Sequence, residues 1–268
     1  MRVFRVKERP NDPPVHAREA ADGGWEELRR EGLRFVPTGR AFRGGRTLAP
    51  LDPRVVFCVG VNYASHAREF GHEQRAWPTI FLKNPAAVVG PGDAVRLPRR
   101  LRSDKVDFEA ELAVVVGSDI RNATPAEALG SVLGYTCAND VSARDWQKEW
   151  GGTQWSRGKS FDTFCPLGPC LLTADEVPDP GRLRIRFRLN GETMQSAAAA
   201  EMQFGVGEIL AFLSGSSTVP AGSVVLTGSP AGVGMARNPP RWLAPGDVME
   251  VEIPGIGVLR NPVEEEPT

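Results

Sequence analysis

Three carboxylates recur at every second position in one apolar stretch of the sequence. Asp107, Glu109 and Glu111 alternate with apolar residues in VDFEAELAVVV. Side chains along a strand point alternately to its two faces, so a strand here would carry all three carboxylates on one face. Like charges on one face repel each other, and the apolar flanks indicate burial; a hard cation with oxygen ligands would relieve this conflict. The alternative is a solvated sheet edge.

Another carboxylate, Asp140, lies where the apolar run VLGYTCA ends. If a helix starts at this point, Arg144 and Gln147 follow four and seven residues later on the same stripe. A carboxylate at a metal and an arginine one turn away could grip both ends of a small oxo acid. The alternatives are a helix N-cap for Asp140 and a surface ion pair for Arg144.

His66 and Glu69 are three residues apart in GVNYASHAREFG, and a short helix or lid would place them on one side. A carboxylate that orients an imidazole and favours its charged form makes a general base that works near neutral pH. The alternative is a histidine on the surface with no catalytic role.

Two loops could hold an anion. Lysine is scarce, with five among 32 basic residues, and Lys159 lies in the loop RGKSFDTFCPLGP; the alternative is a solvated surface lysine. The segment LTGSPAGVG follows the strand SVVL, and its backbone N–H groups with Thr227 or Ser229 could hold a carboxylate; the alternative is an ordinary glycine turn. The sequence lacks GxxxxGK[ST] and GxGxxG, the patterns of phosphate and dinucleotide loops.

The elements that must position these residues are mostly strands. Frequent glycine and proline between short apolar runs predict many strands and turns, and an α+β, strand-dominated fold with a few helices. RLRIRFRLNGE predicts a hairpin that turns at Asn-Gly, and EMQFGVGEILAFLSG predicts a helix whose apolar stripe includes Met202. Residues 1–50 are predicted to form a small irregular region with one short helix near residues 25–30, and residues 51–268 the main domain.

Composition narrows the classes of partner. The net charge of -1 provides no electrostatic footprint for nucleic acid or an anionic membrane. The four cysteines are scattered, which indicates neither a zinc site nor a disulfide framework. The amino terminus MRVFRVKERP is charged, and no apolar run approaches the about 20 residues of a membrane span, so we expect a cytoplasmic protein.

Seven segments, in this order, resemble the fumarylacetoacetate hydrolase family from about residue 55 to the end. They are VGVNYASHARE, FLKNPAAVVGPGD, VDFEAELAVVVG, NDVSARDWQ, RGKSFDTFCPLGP, LTGSPAGVG and PGDVMEVEIPGIGVLRNPV. The resemblance implies a catalytic fold of rolled mixed β-sheets with a few helices and a homodimer. It also implies one Mg²⁺ or Mn²⁺ per chain, with Glu109, Glu111 and Asp140 as ligands.

The resemblance also assigns roles to the other candidate residues. It implies a lid base and its acid partner at His66 and Glu69, an anion-binding catalytic lysine at Lys159, and contacts with substrate oxygens from Arg144, Gln147 and Thr227. Two positions depart from the family pattern. Ser229 stands where many relatives have Thr, and Asn84 stands where many have Pro after FLK.

The implied reaction acts on a small anionic 2-oxo acid. We expect hydrolysis of a carbon–carbon bond in a 2,4-dioxo acid of the acylpyruvate or fumarylpyruvate type, through an enolate that the metal stabilises. The alternative is isomerisation, tautomerisation or decarboxylation of a 2-hydroxymuconate-type or oxaloacetate-type acid. A third alternative is a non-catalytic, metal-dependent binding protein for small acids. The pair of His66 and Glu69 argues against it, because binding alone needs no lid base.

Overall fold

Strands dominate the fold, as the sequence predicts. The computed structural model describes residues 1–69, 71, 76–152 and 154–267. The strands are β1 (Arg2–Lys7), β2 (Val15–Glu19), β3 (Trp25–Glu31), β4 (Arg34–Phe42), β5 (Arg46–Leu48), β6 (Val56–Gly60), β7 (Thr79–Lys83), β8 (Val88–Val89), β9 (Val95–Leu97), β10 (Val106–Asp107), β11 (Ala110–Val116), β12 (Ile120–Arg121), β13 (Val132–Asn139), β14 (Ser142–Ala143), β15 (Cys165–Thr173), β16 (Arg184–Leu189), β17 (Glu192–Ala198), β18 (Thr218–Val219), β19 (Val224–Leu226), β20 (Val248–Ile253) and β21 (Gly257–Glu265).

The helices are short. The α-helices are α1 (Ala64–Glu69), α2 (Pro125–Leu129), α3 (Ser156–Lys159) and α4 (Val206–Ser214), and a π-helical turn spans Trp146–Trp150. Single 3₁₀ turns occupy Pro85–Ala87, Ala174–Glu176, Pro180–Arg182, Ala199–Glu201 and Gly234–Ala236. None of the described helices is long and apolar enough to cross a bilayer.

One large sheet holds most of the strands. Its hydrogen-bonded order is β4-β3-β2-β1-β15-β13-β11-β19-β6-β7, with β5 beside β1 and β8 beside β15. A second sheet has the order β17-β16-β20-β21-β9, and two small pairs join β10 to β14 and β12 to β18. Every residue of β11 and β13 is buried, so the strands that carry the acidic motif lie in the interior.

The first fifty residues are not irregular. Strands β1 to β5 extend the large sheet, and β1 pairs directly with β15. The prediction of a short helix near residues 25–30 is wrong. This segment is strand β3, which pairs with both β2 and β4. The ring centroids of Trp25 and Phe4 lie 5.1 Å apart, and Leu28 is buried. Pairing on both edges therefore overrides the local helical preference. The domain boundary near residue 50 stays a prediction.

The predicted hairpin is confirmed, whereas the predicted helix is shorter than expected. Asn190 and Gly191 connect β16 to β17 with φ values of 53° and 86°, the left-handed conformation that this two-residue turn requires. Helix α4 begins only after Gly205, whose N–H donates to the Glu208 carboxylate at 2.7 Å. Met202 precedes the helix and forms a β-bridge with Tyr63.

An aromatic stack joins the two larger sheets next to the acidic motif. Phe108, between β10 and β11, stacks on Phe187 of β16 with ring centroids 4.3 Å apart and planes 9° from parallel. Both rings are fully buried. The stack therefore fixes the five-stranded sheet against the segment that carries Glu109.

Replacing Phe187 by alanine is expected to lower the free energy of unfolding by about 3 to 5 kcal/mol, because the lost ring leaves a cavity between the sheets. Urea denaturation followed by circular dichroism measures the change. Phe212→Ala is the matched control, since the Phe212 side chain is 39% exposed and should contribute much less. Equal losses in the two variants would contradict a joining role for the stack.

Candidate active site

Two neighbouring strands bring the three predicted ligand residues together. In the β11–β13 pair, Glu111 lies opposite Ala138, and the backbone N–H of Asp140 donates to the carbonyl of Glu109 at 2.8 Å. This register places Glu109, Glu111 and Asp140 on one face. Their carboxylate oxygens lie within 4.8 Å of one another, and all three residues are buried. They are called the carboxylate triad below.

Two buried lysines contact the triad. Lys159 Nζ lies 2.9 Å from Glu109 Oε2 and 2.6 Å from Asp140 Oδ2. Lys83 Nζ donates to Asp140 Oδ1 at 2.5 Å and to the Val141 carbonyl at 3.1 Å. The surface alternative for Lys159 is therefore excluded, because this side chain is buried and ion-paired. The two ammonium groups neutralise part of the charge that the triad brings into the interior.

Lys83 is a site residue that the sequence analysis missed. It ends strand β7, in which Phe81 and Lys83 are buried while Leu82 is 46% exposed. The signal was an alternating strand that puts one of only five lysines on the same face as a phenylalanine. This pattern alone could not identify Asp140 as the partner, because the two residues are 57 positions apart in the chain.

No helix starts at Asp140, so the N-cap alternative for this residue is excluded. The chain instead continues into β14, whose Ser142 and Ala143 pair with β10, and the helical turn starts only afterwards. Asp145 caps this turn by accepting a hydrogen bond from the Trp146 N–H at 2.8 Å. Pairing with β10 thus keeps the chain extended after Asp140, and the Asp140 carboxylate is directed to the two lysines instead of a helix end.

Arg144 lies in the interior between two carboxylates. Its Nε donates to Asp107 Oδ2 at 2.9 Å, and its Nη1 donates to Gln147 Oε1 at 2.9 Å. Its buried Nη2 lies 2.6 Å from Glu109 Oε1 but makes no aligned hydrogen bond within the described part of the chain. The guanidinium is therefore held by Asp107 and Gln147 and is ion-paired with Glu109 of the triad. The surface-pair alternative for Arg144 is excluded.

Asp107 does not join the triad, although strand alternation predicts that it shares a face with Glu109 and Glu111. The strand is interrupted between Asp107 and Ala110. The Asp107 carboxylate instead binds Arg144 and accepts a hydrogen bond from the Gly234 N–H at 2.7 Å. Asp107 thus fixes Arg144 in place and leaves the triad to Asp140.

The glycine-rich loop after β19 does hold carboxylates, and they belong to the protein itself. Gly228 N–H donates to Glu111 Oε2 at 2.5 Å, and Gly232 N–H donates to Glu69 Oε1 at 2.8 Å. The φ of Gly232 is 104°, and a Cβ there would lie 2.0 Å from the Met194 carbonyl oxygen, so glycine is required. The backbone N–H groups of this loop therefore position the acidic residues of the site.

The two hydroxyl groups of this loop are also engaged. Thr227 Oγ1 donates to the Leu112 carbonyl at 2.8 Å, and Ser229 Oγ accepts from Gln195 Nε2 at 2.7 Å. Ser229 lines the cavity described below, whereas Thr227 is not among its lining residues. A substrate contact from Thr227 stays a prediction.

The predicted pair on the lid is formed. In helix α1, His66 Nδ1 lies 3.0 Å from Glu69 Oε2. The second oxygen of the same carboxylate accepts the hydrogen bond from Gly232. Glu69 therefore fixes the imidazole against the glycine-rich loop, and the buried ring of His66 is held at the site.

The charges of the site determine the protonation of the triad. Burial raises the pKa of Glu111 well above its usual range, and repulsion from Asp140 and Glu109 adds to this. Burial also acts to raise the pKa of Glu109, but Lys159 and Arg144 outweigh it and hold this pKa below its usual range. Within one buried cluster, the surroundings therefore favour the charged form of Glu109 and disfavour that of Glu111.

The donor set fits a hard divalent cation. The triad offers only carboxylate oxygens, the ligands preferred by Mg²⁺ and Mn²⁺, and contains no sulfur or imidazole. Around it, four carboxylates face three cations, a formal charge of 3 − 4 = −1; they are Asp107, Glu109, Glu111 and Asp140 against Lys83, Arg144 and Lys159. A divalent cation would convert this charge to +1, which suits an anionic ligand. The triad could thus hold a metal ion.

A small cavity opens onto these residues. Its volume is about 50 Å³, and its lining includes His66, Glu109, Arg144, Gln147, Lys148, Lys159 and Ser229. Four surface clefts of about 350 to 500 Å³ are larger, but none is lined by a predicted site residue. The cavity thus unites six of the candidate residues, whereas Glu69, Glu111, Asp140 and Thr227 are not among its lining residues.

Changing any member of the triad is expected to abolish tight Mn²⁺ binding. Glu109→Gln, Glu111→Gln and Asp140→Asn each remove a ligand, so the loss should exceed the about 10- to 100-fold seen for residues that merely support ligands. Isothermal titration calorimetry measures the affinity. In the unaltered protein, the affinity should also fall as the pH is lowered, because the raised pKa of Glu111 lets protons compete with the metal for this ligand.

Asp145→Asn is the matched control for the triad. Asp145 is buried nearby, but it binds the Ser103 hydroxyl and the Asp104 N–H instead of joining the triad. Its Mn²⁺ affinity should stay near that of the unaltered protein. Tight binding that survives all three triad changes would place the metal elsewhere.

Lys83→Met is expected to lower the free energy of unfolding of the metal-free protein by about 3 to 5 kcal/mol, because it leaves the buried Asp140 without one of its two cationic partners. Chemical denaturation with chelator present measures the change. The control is Lys105→Met, which removes an exposed ion pair with Glu149 and should change stability little. If the two variants are equally stable, the Lys83–Asp140 pair has no structural importance.

Similarity to known proteins extends over the whole chain. A model of the fumarylacetoacetate hydrolase C-terminal domain matches residues 55–264. A mitochondrial oxaloacetate tautomerase from Homo sapiens is 46% identical over 217 residues, which is 81% of this chain and 68% of that protein. The solved structure of 2-hydroxyhepta-2,4-diene-1,7-dioate isomerase from Mycobacterium marinum is 36% identical, with a TM-score of 0.84 over 100% of both chains. Fumarylacetoacetate hydrolase from Exiguobacterium antarcticum is 35% identical, with a TM-score of 0.87 over 99% of this chain and 100% of that one. The chain belongs to the fumarylacetoacetate hydrolase family.

Proposed function

We propose that this protein interconverts the keto and enol forms of a small 2-oxo diacid, with oxaloacetate as the first substrate to test. The observation that carries the proposal is that one cavity of about 50 Å³ is lined by a base, His66, together with Glu109, Arg144 and Lys159. Tautomerisation needs only a proton carrier and groups that stabilise negative charge, with no leaving group and no attacking water. The cavity is far smaller than the about 300 to 1,000 Å³ of sites for drug-sized ligands, which suits a short acid.

The relatives support the same choice. Mitochondrial proteins from several vertebrates that are 45–47% identical to this chain carry the name oxaloacetate tautomerase. In the expected hydrolysis, a lid base would activate water. A lid base serves proton transfer at carbon equally well, so tautomerisation, the alternative reaction, has the stronger support.

His66 would carry the proton. Because Glu69 Oε2 lies 3.0 Å from Nδ1, it favours the tautomer with hydrogen on Nδ1 and leaves Nε2 to exchange a proton with the substrate. From keto to enol, Nε2 takes a proton from C3, the C–H electrons form the C2–C3 double bond, and the 2-oxygen gains a proton from solvent. The reverse sequence returns the proton to C3.

The other residues hold the substrate in place. A divalent cation at the triad would supply a Lewis acid that withdraws electrons from the 2-oxo group. Arg144, fixed by Asp107 and Gln147, presents a preorganised guanidinium to a substrate carboxylate. Lys159 adds a second positive charge from the same wall of the cavity. Thr227 stays a predicted substrate contact.

Hydrolysis of a 2,4-dioxo acid is the second candidate. The aligned His66–Glu69 pair favours it, because such a pair can also deprotonate a water molecule. NMR in deuterated water with acetylpyruvate, fumarylpyruvate, oxaloacetate and a 2-hydroxymuconate-type diene separates the reactions. Deuterium entry at C3 without cleavage supports tautomerisation, whereas pyruvate with the matching acid supports hydrolysis, and loss of carbon dioxide from oxaloacetate indicates decarboxylation.

The assembly and location of the protein stay predictions. We propose a homodimer on the strength of the family resemblance. A cytoplasmic location is expected from the sequence, but several relatives are named as mitochondrial proteins. Light scattering tests the first proposal, and localisation of the tagged chain in its native cell tests the second.

His66→Ala is expected to lower kcat for oxaloacetate tautomerisation by about 10²- to 10⁴-fold, because it removes the proton carrier. Mn²⁺ affinity should change little, since His66 lies on the lid and not in the triad. The absorbance of the enol, corrected for the uncatalysed rate, measures the reaction. His16→Ala is the control, because His16 packs on Phe35 in the amino-terminal strands. A His66→Ala enzyme with the unaltered rate would rule out this base.

A further inference from the structure

We propose that Lys148 binds the second, distal carboxylate of a dianionic substrate at the mouth of the active-site cavity. Lys148 lines this cavity together with Arg144, Gln147 and Lys159. Those three residues are at most 4% exposed, whereas Lys148 is an exposed residue. The cavity wall therefore runs from buried cations near the triad to one accessible cation at the entrance. The inference rests on the proposed function and defines its substrate class.

The helical turn determines the position of Lys148. Trp146–Trp150 is a π-helical turn, and Lys148 immediately follows Gln147, which accepts a hydrogen bond from Arg144. Arg144 is in turn fixed by Asp107 and lies beside Glu109. The backbone that carries Lys148 is thus tied to the group proposed to hold the first carboxylate. The long, flexible lysine stem allows its ammonium group to follow a second carboxylate a few bonds away.

The charge of the cavity wall favours a dianion. Lys148 adds a fourth cation to the three cations and four carboxylates around the triad, which gives a formal charge of 4 − 4 = 0, and a divalent cation at the triad would raise it to +2. Partial burial lowers the pKa of Lys148, and repulsion from the nearby Arg144 lowers it further. A ligand with two carboxylates would relieve this repulsion at both ends of the cavity. A 2-oxo monoacid would relieve it only at the inner end.

The neighbouring acid does not face the cavity. Glu149 follows Lys148 in the sequence but binds the exposed Lys105 at 2.5 Å, and it is not among the residues that line the cavity. The turn thus presents Lys148 to the cavity, whereas Glu149 pairs with Lys105 outside it. This arrangement distinguishes 2-oxo diacids such as oxaloacetate from monoacids such as acetylpyruvate.

The test removes the charge of Lys148 and keeps its length. Oxaloacetate and 2-oxobutanoate have the same number of carbons, and only the first has a distal carboxylate. Their affinities are measured by calorimetry on the Mn²⁺-loaded His66→Ala protein, in which turnover does not interfere. Adding Lys148→Met should weaken the binding of oxaloacetate about tenfold, the effect expected for one lost charge-assisted hydrogen bond. It should weaken the binding of 2-oxobutanoate less than twofold. Lys148→Arg should restore most of the affinity.

Kinetics and a control complete the test. With His66 present, Lys148→Met should raise KM for oxaloacetate more than it lowers kcat. Lys105→Met, a neutralised lysine outside the cavity, should leave both affinities unchanged. If Lys148→Met weakens the binding of both acids equally, or of neither, the proposed subsite is overturned. Selective binding in a protein that does not tautomerise oxaloacetate would support the subsite and refute only the proposed function.

Discussion

Burial of four carboxylates against three cations is the interaction on which the rest of this structure depends. Removing a charge from water costs several kcal/mol unless partners in the interior compensate it. The partners here come from segments distant in sequence: Lys83 ends β7, Lys159 ends α3, and Arg144 lies between β14 and the π-helical turn. The three cations compensate the carboxylates only when all of these segments are in place. The cluster therefore favours one arrangement of the sheet over its alternatives.

The balance is incomplete at Glu111. Glu109 and Asp140 each contact a lysine, whereas Glu111 forms no ion pair within the described residues and accepts a hydrogen bond from the Gly228 N–H. Burial and repulsion from Asp140 and Glu109 raise its pKa. The same imbalance makes the triad a suitable place for a divalent cation, which would supply the missing charge. Stability without metal and affinity for metal are thus two consequences of one distribution of charge.

The glycine-rich loop connects this cluster to the proposed base. One of its N–H groups binds Glu111, and another binds Glu69, which orients His66. The loop therefore relates the position of the imidazole to that of the triad. At the other side of the cavity, the hydrogen bond from Arg144 to Gln147 connects the buried charges to the turn that carries Lys148 at the entrance. A single substrate could thus meet the triad, a base and a distal cation in fixed order.

The sequence by itself identified the family, the strand-dominated fold and most of the site. Strand alternation selected Glu109 and Glu111, the i,i+3 spacing selected His66 and Glu69, and these are local patterns that backbone geometry imposes within a few residues. The Asn-Gly hairpin was predictable for the same reason.

Only the tertiary structure decided the features that depend on distant partners. Pairing with β2 and β4 made residues 25–31 a strand, and pairing of β14 with β10 kept Asp140 from capping a helix. The break before Ala110 separated Asp107 from the triad, and the contact with Asp140 revealed Lys83. Each outcome depends on residues far apart in the chain, whose approach follows from sheet pairing and charge compensation in the interior and leaves no periodic signal in the sequence.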